Sequence, residues 1–287
     1  MTWIRRSAPA KLNLYLHVIG RRADGYHLLD SLVAFADVAD VVAARAAPSL
    51  SLEITGPFAA SLRNAPAPDN LVWRAAVALA ERAGIEPRVE LRLEKNLPVA
   101  SGIGGGSSDA AAALKALAEL WRIDLGERKF QGLAQGLGAD VPVCLFGEPA
   151  WVGGIGESLA PAPQLPRCWV ALANPGVHLA TPAVFKARAG AFSEPARFDT
   201  APADAAELAR LLAARRNDLM PAAVSLAPNI SEVLRVLDGE PGALISRMSG
   251  SGATCFALFT EEASACAAVG RLRAAHPQWW VAAGALR

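Results

Sequence analysis

The stretch Pro98-Val-Ala-Ser-Gly-Ile-Gly-Gly-Gly-Ser-Ser-Asp109 carries the densest chemical signal in the chain. Gly102, Gly104, Gly105 and Gly106 remove side chains where a backbone could curl around a phosphate. Ser107 and Ser108 add hydroxyls at the start of the helix expected from about Ser108 to Trp121, whose free N–H groups and dipole favour an anion. A Walker A loop needs Gly-Lys-Ser/Thr, and no lysine follows these glycines. A dinucleotide fingerprint wants glycine at 107, where serine stands, and an acidic residue closing a second strand; Asp124 has about the right spacing but follows a helix. A turn with Ser/Asp helix caps would account for a shorter Gly-Ser stretch. The run of glycines and serines here is longer than a cap requires, and the pattern is that of a polyphosphate site.

Two further residues could do chemistry beside such a loop. Lys11 falls on the polar face of the first predicted strand, two residues from Asn13, and taken alone reads as a solvated lysine. Asp140, in Gly136-Leu-Gly-Ala-Asp-Val-Pro142, taken alone reads as a helix cap with proline just inside. Next to a phosphate loop both acquire a use. A kinase needs an acceptor for the substrate hydroxyl proton and a cation where charge builds during transfer.

The elements that must position these groups alternate between strand and helix patterns. Leu12, Leu14, Leu16 and Val18 alternate with polar neighbours, which predicts a strand, and Asp24-Gly25 predicts the tight turn after it. A second apolar segment follows from Leu28 to Val42. Residues 56–69 read as a loop, Asn70 as the cap of a helix through Leu71, Ala75, Ala78 and Leu79, and Val89, Leu91 and Leu93 as a strand into the glycine loop. Further helices are expected over 127–137, 205–216 and 229–237, and strands near 169–173 and 255–259. The prolines at 161, 163 and 166 suggest a boundary near 150–165. The class is mixed α and β in two domains.

Composition narrows the partners. In 287 residues, 28 Lys+Arg face 27 Asp+Glu for a net charge of +1, so a nucleic-acid surface built on concentrated basic residues is not expected. A local anion site is still allowed. Although 53% of the chain is hydrophobic, its longest uncharged stretch, 168–185, is broken by Asn174, Pro175, Gly176 and Pro182. No membrane span and, from the opening MTWIRRSAPA, no signal peptide are expected. Cys144, Cys168, Cys255 and Cys266 are scattered, so neither zinc site nor disulfide framework is suggested; each reads as a buried thiol in a reducing, cytoplasmic setting.

Taken in order, Pro-Ala-Lys-Leu-Asn (9–13), the 98–109 loop and Ser-Gly-Ser-Gly-Ala (249–253) resemble the three motifs of the GHMP kinase superfamily. Arg22-Ala-Asp-Gly-Tyr-His27, Leu137-Gly-Ala-Asp-Val-Pro142 and Thr181-Pro-Ala-Val-Phe-Lys186 are similar to segments of those members that phosphorylate a cytidine-diphosphate-linked methylerythritol on the non-mevalonate isoprenoid route. The likeness extends over almost the whole chain.

That resemblance implies an α+β fold of two domains, residues 1–155 of ribosomal-protein-S5-domain-2 type and 156–287 ferredoxin-like. It implies ATP as co-substrate, Mg²⁺ accompanying it, and a small-molecule acceptor. Asp140 would take the hydroxyl proton and Lys11 would stabilise developing charge. Pro98, Val99, Ala100, Ser101, Gly102, Ile103, Gly104, Gly105, Gly106, Ser107 and Ser108 would wrap the phosphates, with Asn70 and Lys95 at the adenosine end. Tyr26 and Phe185 would sandwich the cytosine while His27 reads its edge, and Asn13 would meet the methylerythritol hydroxyls. The 249–252 loop would support the phosphate loop. Some members hold the metal with a motif serine and a separate glutamate, and no acidic residue of this sequence identifies itself as that ligand. Another acceptor (homoserine, mevalonate or a sugar), or a non-catalytic nucleotide sensor on the same fold, are the rival readings. Both Lys11 and Asp140 being present speaks against the sensor.

Overall fold

The computed structural model describes residues 2–63, 65–124 and 126–287. Strands β1 (Ile4–Arg21) and β2 (His27–Ala46) are joined by the expected turn, where Gly25 takes a φ of +92°. After β3 (Ser51–Thr55) come α1 (Leu71–Ala83), β4 (Val89–Glu94), α2 (Gly105–Trp121), α3 (Glu127–Leu137) and α4 (Val141–Phe146). The second half runs β5 (Ala150–Gly154), β6 (Ser158–Pro161), β7 (Cys168–Asn174), α5 (Thr181–Ala187), α6 (Ala205–Ala213), α7 (Met220–Leu226), α8 (Asn229–Asp238), β8 (Ile245–Met248), β9 (Cys255–Phe259), α9 (Glu262–Ala275) and β10 (Trp280–Leu286).

These elements form two compact units built from interleaved stretches of chain. One takes the stretch ending at Ala10, Ala39–Val99 and Gly104–Gly147; the other takes Lys11–Val38, Ala100–Ile103 and Glu148–Arg287. The interleaving follows from the length of β2. Its Val41–Ala46 half pairs antiparallel with β4, and its Leu29–Val33 part pairs antiparallel with β5.

In the first unit β3 lies parallel to β4, and α1 lies in the crossover that a parallel pair needs. Val72, Ala75, Ala76, Leu79 and Ala80 make the buried stripe of α1, at the spacing of one helix face. In α2, residues 108–114, Ala116 and Leu117 are all buried. Such all-round burial suits its run of alanines, which let neighbouring helices approach closely.

In the second unit β7 is flanked by β10 and β9, with β8 beyond β9, all antiparallel. Every residue of β9 is buried, Phe256 and Phe259 completely. Ile230, Val233 and Leu237 of α8 and Ala265, Ala268 and Leu272 of α9 pack into this core. Truncating either phenylalanine should cost about 3–5 kcal/mol. Among the described residues no helix is long and apolar enough to cross a membrane.

Three sequence expectations change. Helix α2 starts at Gly105 rather than Ser108, because Gly104, at φ +62°, turns the chain directly into it. The helix at 205–216 ends at Ala213. Cys266 is exposed on α9, whereas Cys144, Cys168 and Cys255 are buried as expected.

Candidate active site

The glycine loop is divided between the two units. Its first part, Ala100–Ile103, is fastened inside the second unit by backbone bonds: the N–H of Lys11 donates to the carbonyl of Ile103 at 2.9 Å, and that of Thr254 to Ser101 at 3.0 Å. The 249–252 turn closes on itself through the Gly252 N–H to the Ser249 carbonyl. Gly102 must be glycine here. Its φ is +78°, and a Cβ would stand 2.5 Å from the Ser249 carbonyl oxygen and 2.7 Å from the Gly252 nitrogen. The Ser249 hydroxyl accepts from the Asn13 N–H and donates to the Gly102 carbonyl. The 249–252 loop therefore supports this part of the glycine loop directly. Ala100, with φ +51°, holds a left-handed conformation that costs a residue with a side chain about 1–2 kcal/mol.

The second part, from Gly104 on, belongs to the first unit and opens α2. A helix start leaves its first N–H groups without intrahelical partners, and here Gly105, Gly106 and Ser107 stand in that first turn. No acidic side chain occupies the turn, so the positive end of the helix dipole is left for an anion. The Ser108 hydroxyl, expected at the phosphates, instead donates to the Pro9 carbonyl at 2.7 Å and is buried. It joins α2 to β1, and Ser107 is the half-buried hydroxyl beside the glycines.

Lys11 is not a solvated lysine: it is 3% exposed. Its Nζ donates to Asn13 Oδ1 at 2.9 Å; Asn13 Nδ2 donates to the Ser31 hydroxyl at 2.8 Å, and that hydroxyl donates to the Tyr15 carbonyl. Two side chains and one backbone carbonyl on β1 and β2 thus help to set the direction of one buried ammonium. A buried cation is costly unless it is hydrogen-bonded, which is the reason for the chain of partners.

Asp140 follows Gly138, where α3 ends, and occupies the N-cap position of α4 with Pro142 just inside. Its side chain makes no capping bond to that helix. The carboxylate is therefore not consumed by the role its position suggested.

Lys95, expected at the adenosine end, is 2% exposed, pairs with the Asp40 carboxylate and donates, at 2.9 Å, to the carboxyl group of Asp109. Asn70 does cap α1, its Oδ1 accepting from the Val72 N–H at 2.8 Å. Beside it Leu52, Ile54, Ala59, Leu62, Arg63 and Asp69 help to line a mostly apolar cavity of about 340 Å³.

At the other expected pocket, His27 and Phe185 stack with ring centroids 5.2 Å apart and planes at 26°. The histidine thus covers one face of the ring expected to hold a base. Tyr26 is 61% exposed, one of the few large apolar side chains on the surface. Burial, then the charges of Arg21 and Arg188, push the His27 pKa below its ordinary 6.5, so its neutral form offers one donor and one acceptor. Thr181, at the start of α5, shares a 2.8 Å hydrogen bond with Ser251, which ties the helix bearing Phe185 to the 249–252 turn.

Several residues at this site had no assigned role in the sequence: Ser31, Asp40, Asp109 and Asn217, whose Nδ2 holds the carbonyls of Met248 and Gly250 at 2.8 Å. Asp40 carried only an ambiguous signal, since the apolar run Val33–Ala44 holds two aspartates, of which Asp37 is exposed and Asp40 buried. The others offered none without their long-range neighbours.

Models of two family domains match the chain, the GHMP kinases N terminal domain over residues 70–148 and the GHMP kinases C terminal domain over 200–278. A 4-diphosphocytidyl-2-C-methyl-D-erythritol kinase of Paramagnetospirillum magneticum is 52% identical over 282 residues, covering 98% of both chains. One of Cereibacter sphaeroides is 55% identical over 278 residues, 96% of each. Among solved structures, a 4-(cytidine 5'-diphospho)-2C-methyl-D-erythritol kinase superposes with a TM-score of 0.77 at 36% identity over 99% of both chains. A homoserine kinase from Cytophaga hutchinsonii, at 20% identity and a TM-score of 0.72 over 99% of this chain and 95% of its own, shares the fold.

Proposed function

The chain belongs to the GHMP kinase family, and from that premise we propose that it transfers the ATP γ-phosphoryl group to the 2-hydroxyl of 4-diphosphocytidyl-2-C-methyl-D-erythritol, a step of the non-mevalonate isoprenoid route. The relatives named for that reaction span nearly its whole length. At the level of residues, the glycine loop carries the reading, because Gly102 leaves no room for a side chain and the first turn of α2 holds no acidic group, which leaves backbone N–H groups for phosphates.

The residues divide the work as follows. The first-turn N–H groups of α2 and the glycine loop hold the ATP phosphates, with Asn70, Lys95 and the neighbouring apolar cavity at the adenosine end. Asp140 accepts the proton as the substrate oxygen attacks phosphorus in line, and the bond to the ADP oxygen breaks. Lys11 donates hydrogen bonds to the charge that gathers on the phosphoryl oxygens. No covalent phosphoenzyme is needed, so catalysis rests on positioning and preorganised charge. Asn13 orients both Lys11 and the acceptor hydroxyls. Tyr26 and Phe185 stack on the cytosine and His27 reads its polar edge, for which the imidazole must leave Phe185.

Among the described residues no three His, Cys, Asp or Glu come together as a metal-holding cluster. Mg²⁺ is ordinarily carried with waters, one or two carboxylates and substrate phosphates, and it would enter here on ATP, screening phosphate charge. Four free thiols support action in the cytoplasm.

The test is ATP-dependent phosphorylation with three acceptors: the cytidine-diphosphate compound, free methylerythritol and mevalonate. Transfer to the first alone is expected. Transfer to mevalonate but not to the cytidine compound overturns the reading.

A further inference from the structure

Lys95 and its two carboxylates lie at the junction of three elements. Asp40 is on β2, Lys95 directly follows β4, and Asp109 is on the second turn of α2. All three are buried to within 2% of complete. The Asp40 carboxylate is used at both oxygens: Oδ2 accepts from Lys95, and Oδ1 accepts from the backbone N–H groups of Asn96 and Leu97, the latter at 2.8 Å. These are the residues that lead into the glycine loop. At the loop's other end, Lys95 Nζ donates to Asp109 Oδ2 and stands where a Cβ on Gly105 would be only 3.0 Å away. One ammonium therefore ties the residues entering the loop to the helix turn that leaves it.

A packing role alone would be served by apolar side chains, which often match or exceed a buried ion cluster in stability. The Lys95 and Asp40 charges cost desolvation, and Asp109 Oδ1 is buried without a hydrogen-bond partner. What the cluster supplies that apolar packing does not is directional bonds to both ends of one loop.

We infer that Asp40 and Asp109 are positioning residues for nucleotide binding, which act through Lys95 to hold the two ends of the glycine loop at the separation a polyphosphate requires. The inference rests on the kinase reading above. It predicts an effect on the nucleotide side of the reaction and none on the acceptor side.

The experiment measures ADP affinity by calorimetry with magnesium chloride present and no acceptor, together with steady-state constants for both substrates. Asp109→Leu leaves Asp40 and Lys95 paired, so a folded protein is expected, but it cuts the tie to α2. ADP affinity and the KM for ATP should weaken tenfold or more while the acceptor KM stays within twofold. Asp109→Asn, which keeps an acceptor for Lys95, should restore both to within about threefold. If Asp109→Leu does not fold, Asp40→Asn carries the same reading from the other end of the loop. A folded Asp109→Leu protein with wild-type ADP affinity and KM overturns the inference, as does an equal change in both substrates' KM. A wild-type protein that neither binds ADP nor transfers phosphate sinks the kinase reading, and this inference with it. Wild-type activity with unaffected variants sinks this inference alone.

Discussion

Ser249 donates its hydroxyl to the carbonyl of Gly102 at 3.0 Å across 147 residues of sequence. The same oxygen accepts from the Asn13 N–H at 3.1 Å, so one fully buried hydroxyl joins the first, second and third motifs of the chain. Ser249→Ala leaves a backbone donor and a backbone acceptor unsatisfied, at a cost of about 1–3 kcal/mol for a buried group. The melting temperature should fall, and the KM for ATP should rise by more than that for the acceptor. A variant with unchanged melting and kinetics would show that water replaces the hydroxyl freely.

Gly102→Ala tests the close approach itself. Its Cβ would overlap backbone atoms at 2.5–2.7 Å, which cannot swing aside as a side chain would. The loop must shift, and kcat/KM for ATP should drop at least a hundredfold while far-ultraviolet circular dichroism stays that of the wild type. Near-normal kcat/KM would mean the loop's position is not what aligns the phosphates.

Asp140→Asn and Lys11→Met should each lower turnover by orders of magnitude, since general-base contributions are about 10²–10⁴-fold. Retention of wild-type kcat by Asp140→Asn would refute its assignment as base.

Removing an aromatic platform should act on the acceptor alone. Base stacking is worth about 1–3 kcal/mol, so Phe185→Ala should raise the acceptor KM by roughly five- to 150-fold at constant KM for ATP. Because the His27 pKa is depressed from 6.5 by burial and two nearby arginines, the imidazole stays neutral through neutral pH. The acceptor KM should show no His27 inflection at or above that value, and a rise on acidification should begin only below it. An inflection at 6.5 that disappears in His27→Asn would contradict this.

The buried carboxyl of Asp109 is held protonated to about pH 8, above all by desolvation and further by the Asp40 charge, with Lys95 opposing. The unfolded chain releases that proton near pH 3.8. Between these values the folded state binds the extra proton, so stability falls as pH rises through the window. Lys95 is shifted upward from 10.5, so its stabilisation is complete throughout that window. Asp109→Asn removes the Asp109 dependence. The melting temperature of the wild type relative to the variant should therefore decline from about pH 5 to pH 8, read by scanning calorimetry; parallel curves would show that Asp109 does not titrate there.

Much of this molecule is legible locally. Alternation along 12–18, the Asn70 cap and the alanine-rich run after the glycines identify β1, α1 and α2 from neighbours a few residues away, which is the range of hydrogen-bonding and side-chain periodicity. The ordered motifs identify the family, and the glycine and serine run identifies a phosphate loop, because backbone freedom and helix starts are local properties. What a buried polar side chain does is not local. Taken alone Lys11 reads as solvated, and folding buries it against Asn13, which Ser31 holds; Ser108 lies in a phosphate-type loop, and folding gives its hydroxyl to Pro9; Asp109 has no chemical partner nearby in sequence, and folding brings Lys95 to it. The sequence determines which groups are present and their order; only the tertiary structure decides which of them face one another, because desolvation makes each buried charge or hydroxyl take the partners that folding brings within about 3 Å.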